Sequence, residues 1–177
     1  MANSLFILGI DPGLAHTGWG VIEVVGTKKS CLAYGCIVTK TDEELSFRLK
    51  RIYEGIDQAI ETYRPTEVGV ELVYFGANSK SAIATGQARG AALVATANRG
   101  LVVGEYTPLQ IKQAVTGVGD ADKGQVQYMV RALLGLDHIP HPDHASDALA
   151  AAISQSNYRM QNNLLRAIKQ GNMKGER

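Results

Sequence analysis

Three β-rich runs in succession, followed by a switch to helical spacing, restrict the fold of this chain more than any other feature. Residues 5–10, Leu-Phe-Ile-Leu-Gly-Ile, form a continuous apolar run that stops at Asp11-Pro12-Gly13, the pattern of a buried strand ended by a turn. Runs at about 18–25 and 31–38 follow, joined by a polar link over 26–30, and together the three predict an antiparallel meander. From Asp42 to Tyr63 the apolar positions Leu45, Leu49, Ile52, Ile56 and Ile60 recur every three or four residues, which predicts a long amphipathic helix ended by Arg64-Pro65. A strand at about 67–72, a helix at 79–98 closed by Gly100 and a strand at 101–106 come next, then helices at about 108–115, 124–134 and 143–156. The order βββαβαβ plus helices predicts an α/β fold. Its central mixed five-stranded sheet has the first three strands antiparallel, gains the others through helical crossovers, and carries helices on its faces.

The size suits one domain. With 177 residues, 45% apolar and 20% charged, the chain has the composition of a folded globular protein and not of a disordered or fibrous one. Residues 1–157 are expected to form that domain. Residues 158–177 read as a flexible basic tail, because Arg159, Arg166, Lys169, Lys174 and Arg177 face only one acid there, Glu176. No apolar run approaches the roughly 20 residues that span a bilayer, and the start lacks a basic leader, so no membrane contact and a cytoplasmic location are expected. Cys31 and Cys36 lie an odd number of steps apart in a strand, which predicts opposite faces and no disulfide. A net charge of only +1 argues against indiscriminate coating of nucleic acid and leaves local basic patches as the question.

The chemistry lies in acids at element ends. Asp11 follows a buried strand, and Glu71 ends another that is otherwise apolar. Desolvating a carboxylate costs several kcal/mol unless it is paired or metal-bound, so two at strand ends call for a partner. His144 and Asp147 are three apart at the start of a helix and so share a face. If that face meets the strand ends, the result is an oxygen-rich cluster with one imidazole, suited to Mg²⁺ or Mn²⁺. Taken singly, Asp11 also fits a turn, Glu71 a polar strand face, Asp143 a helix N-cap and Asp147 the positive end of a helix dipole. A zinc site from His138, His141 and His144 matches none of the usual ligand spacings, and both cysteines are far upstream.

Five segments carry a family resemblance: Gly-Ile-Asp-Pro-Gly-Leu-Ala-His-Thr-Gly-Trp-Gly (9–20), Val-Glu-Leu-Val-Tyr-Phe (70–75), Gly-Gln-Ala-Arg-Gly (86–90), Gln-Ile-Lys-Gln-Ala-Val-Thr-Gly (110–117) and His-Ala-Ser-Asp-Ala-Leu-Ala (144–150). In this order, between about 5 and 157, they resemble the RuvC family of bacterial Holliday-junction resolvases. The resemblance implies an RNase H-like fold and a homodimer that nicks opposing strands of four-way DNA by two-metal hydrolysis, leaving 5′-phosphate and 3′-hydroxyl ends. It further implies Asp11, Glu71, His144 and Asp147 as the catalytic metal ligands, two Mg²⁺ per subunit with Mn²⁺ as substitute, and a RuvA-RuvB branch-migration complex as partner. Many members carry Asp where this chain has His144, which makes neighbouring Asp143 a candidate replacement ligand.

The same resemblance places Tyr74 where an aromatic stacks on an unpaired base, with Phe75 beside it, and stacking tolerates any base. Lys112 and Lys123 match lysines near the scissile phosphates, while Asn78, Lys80 and Arg89 fall where strand contacts are expected. The Asp-Pro-Gly segment also resembles a phosphate loop of actin-like ATPases, but those need two lobes and a second Asp-Gly loop that this chain lacks. A junction-binding module without catalysis and an RNase H-like nuclease acting on RNA are further alternatives.

Overall fold

A computed structural model describes residues 4–72 and 79–174 of the chain. Strands β1 (Leu5–Asp11), β2 (His16–Val25) and β3 (Lys28–Val38) form the predicted meander. Helix α1 (Leu45–Tyr63) leads to β4 (Glu67–Glu71), helix α2 (Ser79–Asn98) to β5 (Val102–Tyr106), and α3 (Pro108–Thr116), α4 (Lys123–Leu134) and α5 (Asp143–Lys174) complete the chain. The sheet order is β3-β2-β1-β4-β5. β1 pairs antiparallel with β2 and parallel with β4, which pairs parallel with β5. This is the mixed five-stranded sheet that the element order predicts.

The apolar run of β1 is continuous because both its faces are covered. Ile7 packs toward α5, whereas Leu8 and Ile10 pack toward α1 and α2, with Ile52, Ile56, Val68, Val70, Ala88 and Ala92. Ile7, Leu8 and Ile10 are fully buried, and each such side chain contributes about 1.5–3 kcal/mol. Helix α1 ends as Arg64-Pro65 predicts, with Arg64 in the left-handed region at φ 48° and its N–H bonded to the Ile60 carbonyl. Helix α3 starts at a capping box in which Thr107 and Gln110 satisfy each other's backbone N–H groups, and Asp122 and Gln125 do the same for α4.

Two expectations are corrected. The pairing of β2 with β3 slips by one residue between Val21 and Ile22, so Leu32 bulges out and the side-chain alternation resets. Cys31 therefore packs with the α5-side core, and Cys36, opposite Gly18 and in line with Asp11, shares that face. The two cysteines lie on one face and not on opposite ones; both are free thiols, kept apart along the strand. Second, the last helix does not stop at Ser156. It runs to Lys174, through a stretch, residues 157–170, that holds neither glycine nor proline. Among the described residues no helix is long and apolar enough to cross a membrane.

Candidate metal centre

Strand parity sends Asp11 toward α5. Ile7, Gly9 and Asp11 alternate onto that face, and on β4 Gly69 and Glu71 do likewise. Because β1 and β4 are parallel neighbours, Asp11 and Glu71 both emerge at the carboxyl edge of the sheet. Helix α5 crosses there with its first two turns, and the contact is close because the sheet is bare beneath it. A Cβ on Gly9 would run into the Ala148 carbonyl, and one on Gly18 into the carbonyl of His144 itself. Small residues on both partners thus set the distance from which His144 and Asp147 reach the strand ends.

The resulting cluster is tight. His144 Nδ1–H donates to Asp11 Oδ2 across 2.8 Å. One ligand atom each from Asp11, His144 and Asp147 lie within 4.8 Å of one another, so a single ion fits among them. Glu71 stands just outside that trio but shares its field: burial first, then the charges of Asp11 and Asp147, push its carboxyl up to about 7. Burial and Asp11 also raise Asp147. The hydrogen bond to Asp11 raises His144 in spite of burial. Carboxylates buried together so that Glu71 and Asp147 bind their protons more tightly than usual, with a cation nearby, are the arrangement that a divalent ion relieves. Lys123 is that cation, with Nζ 3.0 Å from Asp143 and 3.3 Å from Asp147. Burial disfavours its charge, yet the bond to Asp143 and the field of Asp147 outweigh it and raise the ammonium. A cleft of about 210 Å³ opens beside the cluster, lined by Glu71, Lys112, Lys123 and Asp147 among others.

Comparison with known proteins decides the family. Residues 7–155 match the family model described as "Crossover junction endodeoxyribonuclease RuvC". The chain belongs to the RuvC family. The protein of that name from Desulforamulus reducens is 49% identical over 87% of this chain and 94% of its own length. The structure of Thermus thermophilus RuvC in complex with a Holliday junction substrate is 37% identical, with a TM-score of 0.86 over 89% of this chain and 96% of that one. The yeast mitochondrial Holliday junction resolvase, 11% identical with a TM-score of 0.67 over 93% of this chain and 85% of that one, shares the fold. The RNase H-like architecture expected from the resemblance is therefore present.

Of the residues singled out in the sequence of this RuvC-family chain, Asp11, His144 and Asp147 come together, with Glu71 beside them and Lys112 and Lys123 at the cleft. Asp143 does not join them. The hydrogen bond from Lys123 holds its carboxyl below the usual carboxylate range, helped by Gln127. Arg89 is engaged 2.6 Å from Glu105 and fastens α2 to β5. Lys80 is the second residue of α2. Tyr74, Phe75 and Asn78 lie outside the described residues. His138 sits 3.3 Å from the Tyr34 hydroxyl, and neither it nor His141 belongs to the cluster, so the zinc alternative has no support there. Sequence reasoning passed over His16, whose ring stacks on His144 with centroids 5.4 Å apart and planes 5° from parallel, and Arg48, which lies near it. The signal was present in part: His16 falls inside the same segment as Asp11, where a turn folds it back toward the cluster.

Proposed function

We propose that this crossover-junction endodeoxyribonuclease nicks opposing strands of four-way DNA junctions as a homodimer, leaving 5′-phosphate and 3′-hydroxyl ends. The observation that carries the reading is the cluster of Asp11, His144 and Asp147 with Glu71 at the carboxyl edge of a RuvC-type sheet. Its donor set, three carboxylates and one imidazole, fits Mg²⁺, with Mn²⁺ as substitute. We assign two ions per subunit: Asp11 as the shared ligand, Glu71 for the first ion and for orienting the water, His144 and Asp147 for the second. When bound, the ions supply a water of lowered pKa and offset charge developing on the leaving 3′ oxygen.

The protein's own groups arrange the substrate. Lys112 and Lys123 present ammonium groups to the phosphate that enters the cleft. Lys123 also lies 3.3 Å from Asp147, where its charge partly offsets the burial and the Asp11 charge that raise that carboxyl. Tyr74 is assigned to stacking on an unpaired base near the junction centre, with Phe75, Asn78 and Lys80 along the strand path. Arg89 acts through the placing of α2, since one of its η nitrogens pairs with Glu105. The exposed apolar residues Ile83 and Val94 of α2 support pairing of two chains through that helix. A RuvA-RuvB branch-migration complex and a cytoplasmic site of action complete the proposal.

One assay tests it: cleavage of a four-way junction, duplex DNA and structured RNA, side by side, with Mg²⁺ or Mn²⁺. Cutting confined to the junction is expected, and light scattering of the protein alone should give twice the chain mass. Equal cutting of all three substrates would overturn the resolvase reading.

A further inference from the structure

A second opening adjoins the cluster on the far side of His144. It is a groove of about 400 Å³ whose walls include Leu14, His16, Arg48, Thr85 and His144. Arg48 is built into it. Its Nε donates to Thr39 Oγ1 across 2.9 Å. Thr39 is buried, and it is locked in turn to the segment that carries His16, through its N–H to the Ala15 carbonyl and its hydroxyl to the Leu14 carbonyl. The anchoring uses only one of the guanidinium nitrogens. Among the described residues neither η nitrogen of Arg48 has an ion-pair or hydrogen-bond partner, whereas Arg51, three residues on, is paired with Glu43 and Arg99 with Asp57. Arg48 also stands in the N-terminal part of α1, the end of a helix that disfavours a cation, with Glu44 at the N-cap as the acid there. A rigidly held fork of donors with its outer edge free, in a groove, is the chemistry that grips a phosphate.

The groove and the lysine cleft meet at the cluster. His144 lines the groove, Asp147 lines the cleft, and the two side chains lie one turn apart on α5. A DNA strand with its reacting phosphate at Asp11 must continue in both directions, and the two openings provide basic residues on either side. His16, stacked on His144, lines the same groove as Arg48. We propose that this groove is a phosphate subsite for the cut strand, with Arg48 contacting a phosphodiester that flanks the scissile one on the side away from Lys112 and Lys123. The assignment rests on the junction-cleaving reading given above.

The test is the salt dependence of junction binding. In an Asp11→Asn background, which does not cut, the affinity for a four-way junction is measured by fluorescence anisotropy in Mg²⁺ across a series of KCl concentrations. Each phosphate contact contributes roughly 0.7–0.9 to the slope of log affinity against log salt. Adding Arg48→Ala is expected to reduce the slope by about that much and to weaken binding roughly tenfold at low salt, evenly across junction sequences. Arg48→Lys keeps the charge but loses the Thr39 anchor, and is expected to restore the slope. The melting temperature of the DNA-free protein serves as the measure of folding, and the Mn²⁺ affinity of Arg48→Ala with Asp11 kept serves as the measure of an intact cluster. An unchanged slope in Arg48→Ala overturns the proposal. So does an Arg48→Lys protein that behaves like Arg48→Ala, since Arg48 then serves only to anchor the turn. If the Asp11→Asn parent binds junction no better than duplex, the resolvase reading fails and takes the subsite with it; if it prefers the junction, only the subsite is at stake.

Discussion

Strand β4 carries two glutamates toward α5, one at each end, and the protein treats them oppositely. At the amino end Glu67 lies 2.6 Å from Arg159 Nε and accepts a hydrogen bond from Gln155 Nε2 at 2.8 Å. Gln155 in turn accepts from the Tyr106 hydroxyl, and Tyr106 stacks on Tyr158. Every charge there is met by a neighbour, and the network clamps α5 to the sheet. At the carboxyl end Glu71 faces Asp11 and Asp147, and burial together with those like charges pushes it up to about 7. The same residue type, on the same strand and beneath the same helix, is satisfied by protein at one end and left in need of a cation at the other. A folding chain gains nothing from the second arrangement by itself, so the difference marks the site.

The comparison breaks most visibly in activity. Asp11→Asn removes a ligand charge at constant volume and should lower junction cleavage about a thousandfold or more, several kcal/mol of lost charge stabilisation at tenfold per 1.4 kcal/mol, with junction binding retained. Gel-based cleavage and anisotropy read the two separately, and loss of both would make Asp11 structural. Gly18→Ala attacks the close approach instead of the charge. A methyl group against the His144 carbonyl should destabilise the fold by about 1–3 kcal/mol in urea denaturation and reduce cleavage as well. A protein of unchanged stability would show that α5 can retreat without consequence.

The two glutamates themselves should respond with opposite signs. Glu67→Gln leaves Arg159 without its partner and should destabilise the metal-free protein by about 1 kcal/mol, a modest value because Arg159 is partly exposed. Glu71→Gln should stabilise the metal-free protein at pH 8, where the native carboxyl is ionised against its neighbours. Its proton is held to about pH 7 in the folded chain, against an ordinary glutamate value of 4.5. The folded state therefore binds that proton more tightly, and metal-free stability should fall as the pH rises from about 4.5 to 7 and then level off. Asp147 and His144, both raised, act in the same direction. Melting curves across this range should show the decline in the parent and a shallower one in Glu71→Gln; parallel curves would remove Glu71 as its cause. The smallest effect is expected from His144→Asp, which replaces the imidazole of the cluster with a third aspartate. It should remain active with its Mg²⁺ to Mn²⁺ preference shifted, and complete inactivity would assign the imidazole a further role.

Much of this was legible in the sequence because it depends on local pattern. The apolar run before Asp11, the three-residue spacing of His144 and Asp147, and the switch from strand to helix periodicity each follow from neighbours along the chain. What escaped depends on pairing or on distant packing. The bulge at Leu32 reverses the face of everything before it in β3, and no composition signal announces it. The partners of Glu67 come from α5, in a stretch that read as the end of a helix and the start of a tail. Arg48 looked like one more cation on an amphipathic helix until the Thr39 bond placed it beside the cluster.

The central claim is that Asp11, Glu71, His144 and Asp147 form a site completed by divalent metal. Calorimetric titration of Mn²⁺ into the DNA-free protein at pH 8 tests it most directly. The account predicts saturable binding by the parent, loss of that binding in Asp11→Asn, and parental binding in Glu67→Gln. Equal binding by the parent and Asp11→Asn would contradict it.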